Sequence, residues 1–226
     1  MNISVLGTGM VGRAQAARLV ELGHDVTVGT KDVEKTMAET KPDQMGNPPF
    51  SVWQKAHLSV KLATFADSVK DVDMVLEALH GAIAVEVLKT LESCLSDKIL
   101  IDISNPLDFS KGMPPTLFVS NTDSLGEQIQ HALPKTKVVK TLNTMSAMLQ
   151  VNPKLLANGE HHIFVSGNDA DAKTKVTGLL KSYGWKHIID LGDITTARGT
   201  EMMMPMWLRL WGSLKTPMFN YKIVTE

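Results

Sequence analysis

Short apolar runs alternate along the chain with apolar positions at helical spacing. Asn2 to Leu6 reads as a short strand, and Met10 to Leu22 places Val11, Ala14, Ala17, Leu19 and Leu22 at helical intervals before Gly23 stops the element. Asp25 to Gly29 resumes a strand with Val26 and Val28 apolar. The same alternation predicts strands near Val60–Ala63, Met74–Leu79, Ile99–Ile103, Val138–Leu142, His162–Val165 and His187–Leu191. Between them it predicts helices over Ile83–Ser93, Ser124–Ala132 and Ala170–Tyr183, the last stopped by Gly184. Strand and helix taking turns at this spacing predicts an α/β fold with a parallel sheet covered on both faces. No internal repeat or low-complexity tract interrupts it.

Two stretches depart from the pattern. Residues 41–57 (KPDQMGNPPFSVWQKAH) are rich in Pro and Gly yet contain Phe50 and Trp53, and residues 105–121 (NPLDFSKGMPPTLFVSN) read as a long loop after a buried strand. Loops of this length usually serve a function, and in an open parallel sheet ligands bind beyond the carboxyl ends of the strands, where the second loop begins.

Composition narrows the classes. Across 226 residues, 23 Lys and Arg stand against 24 Asp and Glu, a formal net charge of -1. No protein-wide basic field would draw the chain to nucleic acid or to an anionic membrane, so an anionic ligand must be held locally. Cys94 is the single cysteine, the N-terminus lacks a signal-like apolar core, and no apolar run approaches the roughly 18–20 residues of a membrane span. The expectation is a reduced, cytoplasmic protein with no membrane and no nucleic-acid partner. Thirteen methionines outnumber six Phe, four Trp and two Tyr.

Local anion binding has an evident candidate. Gly7, Gly9 and Gly12 in GTGMVG form G-x-G-x-x-G between a predicted strand and a predicted helix, the context that gives the pattern weight. Gly7 permits the tight turn, Gly9 lets backbone approach a pyrophosphate, and Gly12 lets helix and strand pack closely. The amides of Thr8, Met10 and Val11 would then meet the anion at a helix N-terminus. At the end of the second strand, where NAD sites usually carry a carboxylate for the ribose, this chain has Gly29, Thr30 and Lys31. A hydroxyl and an ammonium favour NADP(H), a solvated surface lysine being the alternative for Lys31. Asp32 reads as a helix N-cap.

Other chemistry-bearing residues are less suggestive. His161 and His162 would point to opposite faces of a strand, which does not suit chelation, and no C-x-x-C or H-x-x-x-H spacing exists, so no metal site is expected. Cys94 reads as a buried thiol, and no serine lies in G-x-S-x-G. Lys111 and Lys140 read as solvated lysines, and Arg198 and Arg209 as surface ion-pair formers, with contact to phosphate or an anionic tail as the alternative for each. From Glu201 to Leu214 (EMMMPMWLRLWGSL) almost no polar face remains if the segment is helical, so both sides need cover; Pro205 marks a kink or a start.

GTGMVGRAQAARLVELGHDVTVGTKD, then VVKTLNTM and VSGNDADAKTKVTGLLKSYGW, resemble the F420:NADP oxidoreductases, NADPH-dependent reductases of the deazaflavin coenzyme F420. The resemblance spans nearly the whole chain and is poorest over residues 41–57. It implies a Rossmann-type, doubly wound, mostly parallel sheet with a short C-terminal apolar helical tail. Residues 1–195 would form the NADP-binding domain and 196–226 a cap or dimerisation segment. It implies an enzyme passing hydride between NADP(H) and a flat deazaflavin, with a flavin (FMN or FAD) as the near alternative, and a homodimer. Matching by position, Leu79, His80, Asn105 and Pro106 would wall the cofactor. His80, Asn143 and Thr144 would line the hydride-transfer site, and Met145, Met203, Met206 and Trp207 the acceptor pocket or, for the tail, a dimer seam. Reduction of a small imine or ketone, and a non-catalytic NADPH-sensing module, are the rival readings. Imine-reducing relatives add a long helical domain, for which the roughly 35 residues after Leu191 leave little room.

Overall fold

The computed structural model describes residues 1–43 and 45–226. In chain order the elements are β1 (Asn2–Leu6), α1 (Met10–Glu21), β2 (Asp25–Thr30), α2 (Val33–Ala38), α3 (Phe50–Lys55), β3 (Lys61–Thr64) and α4 (Phe65–Ser68). There follow β4 (Met74–Glu77), α5 (Gly81–Lys89), α6 (Glu92–Leu95), β5 (Ile99–Asp102), β6 (Leu107–Asp108), β7 (Thr116–Leu117) and α7 (Leu125–Ala132). The last part comprises β8 (Lys137–Thr141), α8 (Ala147–Val151), β9 (His162–Gly167), α9 (Ala170–Tyr183), β10 (His187–Gly192) and α10 (Ala197–Leu214).

Eight strands form one sheet in the order β10-β9-β8-β5-β4-β1-β2-β3. From β3 to β8 the six strands are parallel and follow the Rossmann order, with the topological switch point between β1 and β4. Period-two alternation divides the core. Ile3, Val5, Val26, Val28 and Leu76 meet Ala16 and Leu19 of α1, Leu149 of α8 and Val176 of α9. Leu6, Val75, Leu100 and Val138 meet Ala84 and Leu88 of α5 and Leu125 and Ile129 of α7. Truncating a fully buried leucine here, such as Leu76 or Leu88, would cost about 2–5 kcal/mol.

The parallel pairing breaks at one place: β8 and β9 are antiparallel, with Val139 opposite Gly167 and Thr141 opposite Val165. The reason lies in their connection. It contains only the five-residue α8 and two short 3-10 turns, and at about 1.5 Å per residue α8 cannot traverse the sheet and return the chain to the opposite end. Strand β9 therefore starts where β8 ends, and β10 pairs parallel to it. The sheet is thus mostly parallel, as the resemblance implies.

Three further expectations are revised. The helix predicted over Ile83–Ser93 is two helices, because Thr90 caps α5 and turns its hydroxyl back to the Val87 carbonyl at 2.7 Å. The two irregular stretches contain α3 and the small antiparallel β6–β7 pair. Helix α10 begins eight residues before Pro205, which lies inside it and does not start it. After Lys215, whose φ of +57° ends α10, the tail runs back over β9, where His162 N donates to the Tyr221 carbonyl at 3.0 Å. Among the described residues no helix is long and apolar enough to cross a membrane, and no cluster of three His, Cys, Asp or Glu side chains could hold a metal ion.

Candidate active site at the carboxyl ends of the strands

The three glycines of the first turn differ in what surrounds them. Gly7 has φ +120°, and a Cβ there would lie 2.6 Å from the Ala78 carbonyl oxygen, so the turns after β1 and β4 abut. A Cβ at Gly12 would lie 2.1 Å from the Gly7 carbonyl oxygen, so helix and turn touch backbone to backbone. Gly9 is the N-cap of α1, with nothing within 4 Å of its Cβ position. Helix α1 has no side-chain cap and no acidic residue in its first turn. An open cradle at an uncapped, positively polarised helix end suits a pyrophosphate.

At the end of β2, Thr30 is buried and its Oγ1 lies 2.8 Å from Thr36 Oγ1, while Lys31 is exposed and makes no ion pair among the described residues. Asp32 caps α2, accepting from Lys35 N at 2.9 Å. Its carboxylate is therefore turned toward backbone amides and away from a ribose. Arg13, a residue that sequence reasoning missed, donates from Nε to the Thr8 carbonyl at 2.7 Å and from Nη1 to the Pro48 carbonyl, and its guanidinium lies 5.6 Å from the centre of the Phe50 ring. Arg13 thus links the glycine turn to the irregular stretch.

The strand tips bring the next set together. His80 caps α5, with Nδ1 accepting from Ala82 N at 3.4 Å, and its ring lies 5.8 Å from that of Phe109. Asn105 and Asn143 clasp across two loops: Asn105 Nδ2 donates to the Asn143 carbonyl at 2.9 Å and Asn143 Nδ2 to Asn105 Oδ1 at 3.0 Å. Thr144 and Pro106 are buried beside them in sequence, and Leu79 is half-buried. Leu142 adopts φ +63°, a left-handed conformation that is strained for leucine. Its carbonyl accepts from Gln150 Nε2 at 2.9 Å, Gln15 Nε2 donates to Gln150 Oε1, and Tyr183 Oη donates to Gln15 Oε1. This buried chain through α9, α1 and α8 also escaped sequence reasoning.

Lys140 overturns its expectation outright. It is 1% exposed, with Nζ 2.9 Å from Asp102 Oδ2, 2.9 Å from Glu201 Oε1 and 2.6 Å from the Ser104 carbonyl oxygen. Burial alone would lower its pKa, but Asp102 and Glu201 outweigh that and raise it, so Lys140 is charged. Beside it, burial and the adjacent Asp102 push the Glu77 carboxyl well above the usual carboxylate range. A warning was present in the strings MVLE, ILID and VVK, each a charged residue ending or interrupting an apolar strand. Arg198 behaves as an ion-pair former, gripping Glu127 with Nε at 2.8 Å from Oε2.

The acceptor-pocket candidates do not form one group. Trp207 joins Met204 and Leu208 in a cluster with Leu107, Leu117, Trp211, Phe219 and Tyr221, with the Trp207 and Phe219 ring centres 5.4 Å apart. Met203 is half-buried and accepts at its carbonyl from Tyr221 Oη. Met206 lies on the uncovered side at 58% exposure, whereas Met145 is buried in the main core. Leu107 follows Asn105 by two residues, so the aromatic cluster adjoins the strand tips.

Residues 2–106 match the family described as NADP oxidoreductase, coenzyme F420-dependent. The crystal structure of an Arthrobacter sp. FB24 protein, proposed to be an F420-dependent NADP reductase, superposes at TM-score 0.94 with 55% identity, covering all of both chains. The chain belongs to the F420-dependent NADP oxidoreductase family. The F420-dependent NADP reductase of Methanocaldococcus jannaschii is 27% identical over 93% of this chain and 92% of its own. Rat metalloreductase STEAP3 is 27% identical over 96% of this chain, which spans 38% of that longer protein. A Streptomyces aurantiacus imine reductase shares the fold alone, at TM-score 0.60 and 15% identity.

Proposed function

We propose that the protein transfers a hydride between NADP(H) and the deazaflavin coenzyme F420. The observation that carries the reading is the open Gly9 cradle at an uncapped helix end, followed by a β2 terminus with Lys31 in place of a carboxylate, in a chain 55% identical to the Arthrobacter protein. When bound, NADPH supplies a hydride at its nicotinamide, and the deazaflavin accepts it with a proton from the medium. The work of the chain is placement. Gly7, Thr8, Gly9, Met10, Val11 and Gly12 would seat the pyrophosphate, and Lys31 with Thr30 the 2′-phosphate. The clasped Asn105–Asn143 pair, with Thr144, Leu79, His80 and Pro106, would hold the nicotinamide against the strand tips.

Trp207 and Met203, on the cap that starts near residue 196, would wall the acceptor. No nucleophile is needed; two flat rings must be held with reacting carbons about 3–3.5 Å apart. Stopped-flow loss of nicotinamide absorbance on mixing with F420, and separately with FMN and FAD, tests this reading. Rapid oxidation by F420 is expected; oxidation by flavin alone moves the assignment to flavin reduction, and oxidation by none ends it. The exposed Met202 and Met206 would be covered in a cytoplasmic homodimer, which light scattering checks.

A further inference from the structure

Three adjacent parallel strands carry a row of ionisable side chains on the face that packs against α5 and α7. Glu77 of β4 is the register partner of Asp102 of β5, which is the register partner of Lys140 of β8, and none is more than 1% exposed. Each of these side chains reaches a loop at the strand tips. Glu77 Oε1 accepts from Leu79 N at 2.7 Å, and Asp102 Oδ1 accepts from Ser104 N at 2.9 Å and Ser104 Oγ at 2.7 Å. Lys140 spends all three of its protons, on Asp102 Oδ2, the Ser104 carbonyl and Glu201 Oε1. Glu201 belongs to α10, and its carboxylate also accepts from the first amides of α7, Leu125 N at 2.8 Å and Gly126 N at 3.0 Å.

Such a network is a poor way to gain stability. Taking each ion out of water is costly, and well-packed apolar residues in place of a buried ion pair are often as stable or more so. The network does give direction. Ser104 directly precedes Asn105, which is clasped to Asn143, while Glu201 lies six residues before Trp207 on the same helix. One ammonium thus joins the loop on the cofactor side to the helix on the acceptor side.

We propose that Lys140 and Glu201 are positioning residues. Through Ser104 they lock the Asn105 loop to α10, so that the two reactants meet in register although neither side chain touches either reactant. This proposal rests on the hydride-transfer reading above. Substituting Glu201→Gln keeps volume and a hydrogen-bond acceptor for an α7 amide while removing the charge that Lys140 grips; Lys140→Met removes the grip from the other side.

Four quantities are read on the full chain: the NADPH dissociation constant, the single-turnover hydride-transfer rate constant with F420, the melting temperature, and amide hydrogen exchange over residues 103–106 and 197–214 without acceptor. We expect NADPH binding to change by less than about threefold and the rate constant to fall about ten- to a hundredfold, the scale of an ångström-level misplacement. Exchange in both segments rises together. Transfer at the parental rate, or faster exchange confined to residues 197–214, overturns the proposal. So does a fall in rate matched by equal loss of NADPH binding and of melting temperature, which is the signature of a purely structural pair. Should Lys140→Met fail to fold, Glu201→Gln decides alone. If NADPH is oxidised by the parent with none of F420, FMN and FAD, the functional reading falls, and the exchange measurement still decides whether the link exists.

Discussion

A methyl group added at Gly12 and one added at Gly9 should fail in different ways. At Gly12 the new Cβ would stand 2.1 Å from the Gly7 carbonyl oxygen and 3.0 Å from its carbon, against an ordinary contact that begins at 3.4 Å. Helix α1 and the turn must therefore separate by more than an ångström, and both sides are backbone. Overpacking of this kind costs about 1–3 kcal/mol, while alanine gains about 1 kcal/mol over glycine in a helix. Because both sides are backbone the upper end applies, and the net loss of about 2 kcal/mol lowers the melting temperature of a chain this size by about 4–8 °C. At Gly9 the methyl meets nothing within 4 Å, and φ -75°, ψ -177° suits any residue. Stability should change by under about 1 kcal/mol, a weaker N-cap being the only loss. The methyl would, however, occupy the space assigned to the pyrophosphate. NADPH binding by Gly9→Ala, measured by fluorescence titration, should weaken at least about tenfold, or about 1.4 kcal/mol. A Gly9→Ala protein that binds NADPH like the parent would refute the cradle, and a Gly12→Ala protein that melts with the parent would refute the packing argument.

Other expectations follow from the same geometry. Lys31→Ala should raise the NADPH dissociation constant about tenfold at low ionic strength, leave NADH unaffected, and lose the difference as salt screens the exposed charge; equal effects on both nucleotides would contradict the 2′-phosphate role. Glu77 is raised in the fold by burial and then by Asp102, so the folded chain holds a proton that the unfolded chain releases above about pH 4.3. Its contribution to stability is present in full below that pH and diminishes as pH rises toward the folded value. The melting temperature of Glu77→Gln relative to the parent should therefore climb as pH rises above about 5, and melting curves that stay parallel through that rise would show Glu77 to be ionised. Asn143→Ala leaves Asn105 Oδ1 without its donor, at a cost of about 1–3 kcal/mol. Single-turnover transfer should slow more than NADPH binding weakens; unchanged transfer would remove Asn143 from the site.

Much of the fold is legible because its determinants are local. The Gly184 stop of α9 sits at φ +106°, the Asp32 cap accepts from an amide three residues on, and the period of apolar positions names strand or helix. The glycine turn is legible for the same reason, since each glycine answers a demand of the neighbouring backbone. The break at Thr90 is less so, because a side chain bonding back to Val87 leaves the apolar period unchanged. Arg13 went unnoticed since its meaning depends on Pro48 and Phe50, which the chain reaches only after α2.

By itself, then, the sequence determined an alternating α/β chain, a dinucleotide-type turn and a β2 end without a carboxylate. Tertiary structure alone decided that β9 runs antiparallel, that Gln15 meets Gln150 across 135 residues, and that Lys140 is buried between Asp102 and Glu201. The physical reason is reach. Backbone preference and hydrophobic period act over a few residues, whereas the partner of a buried polar group is set by strand order, which only the assembled sheet supplies.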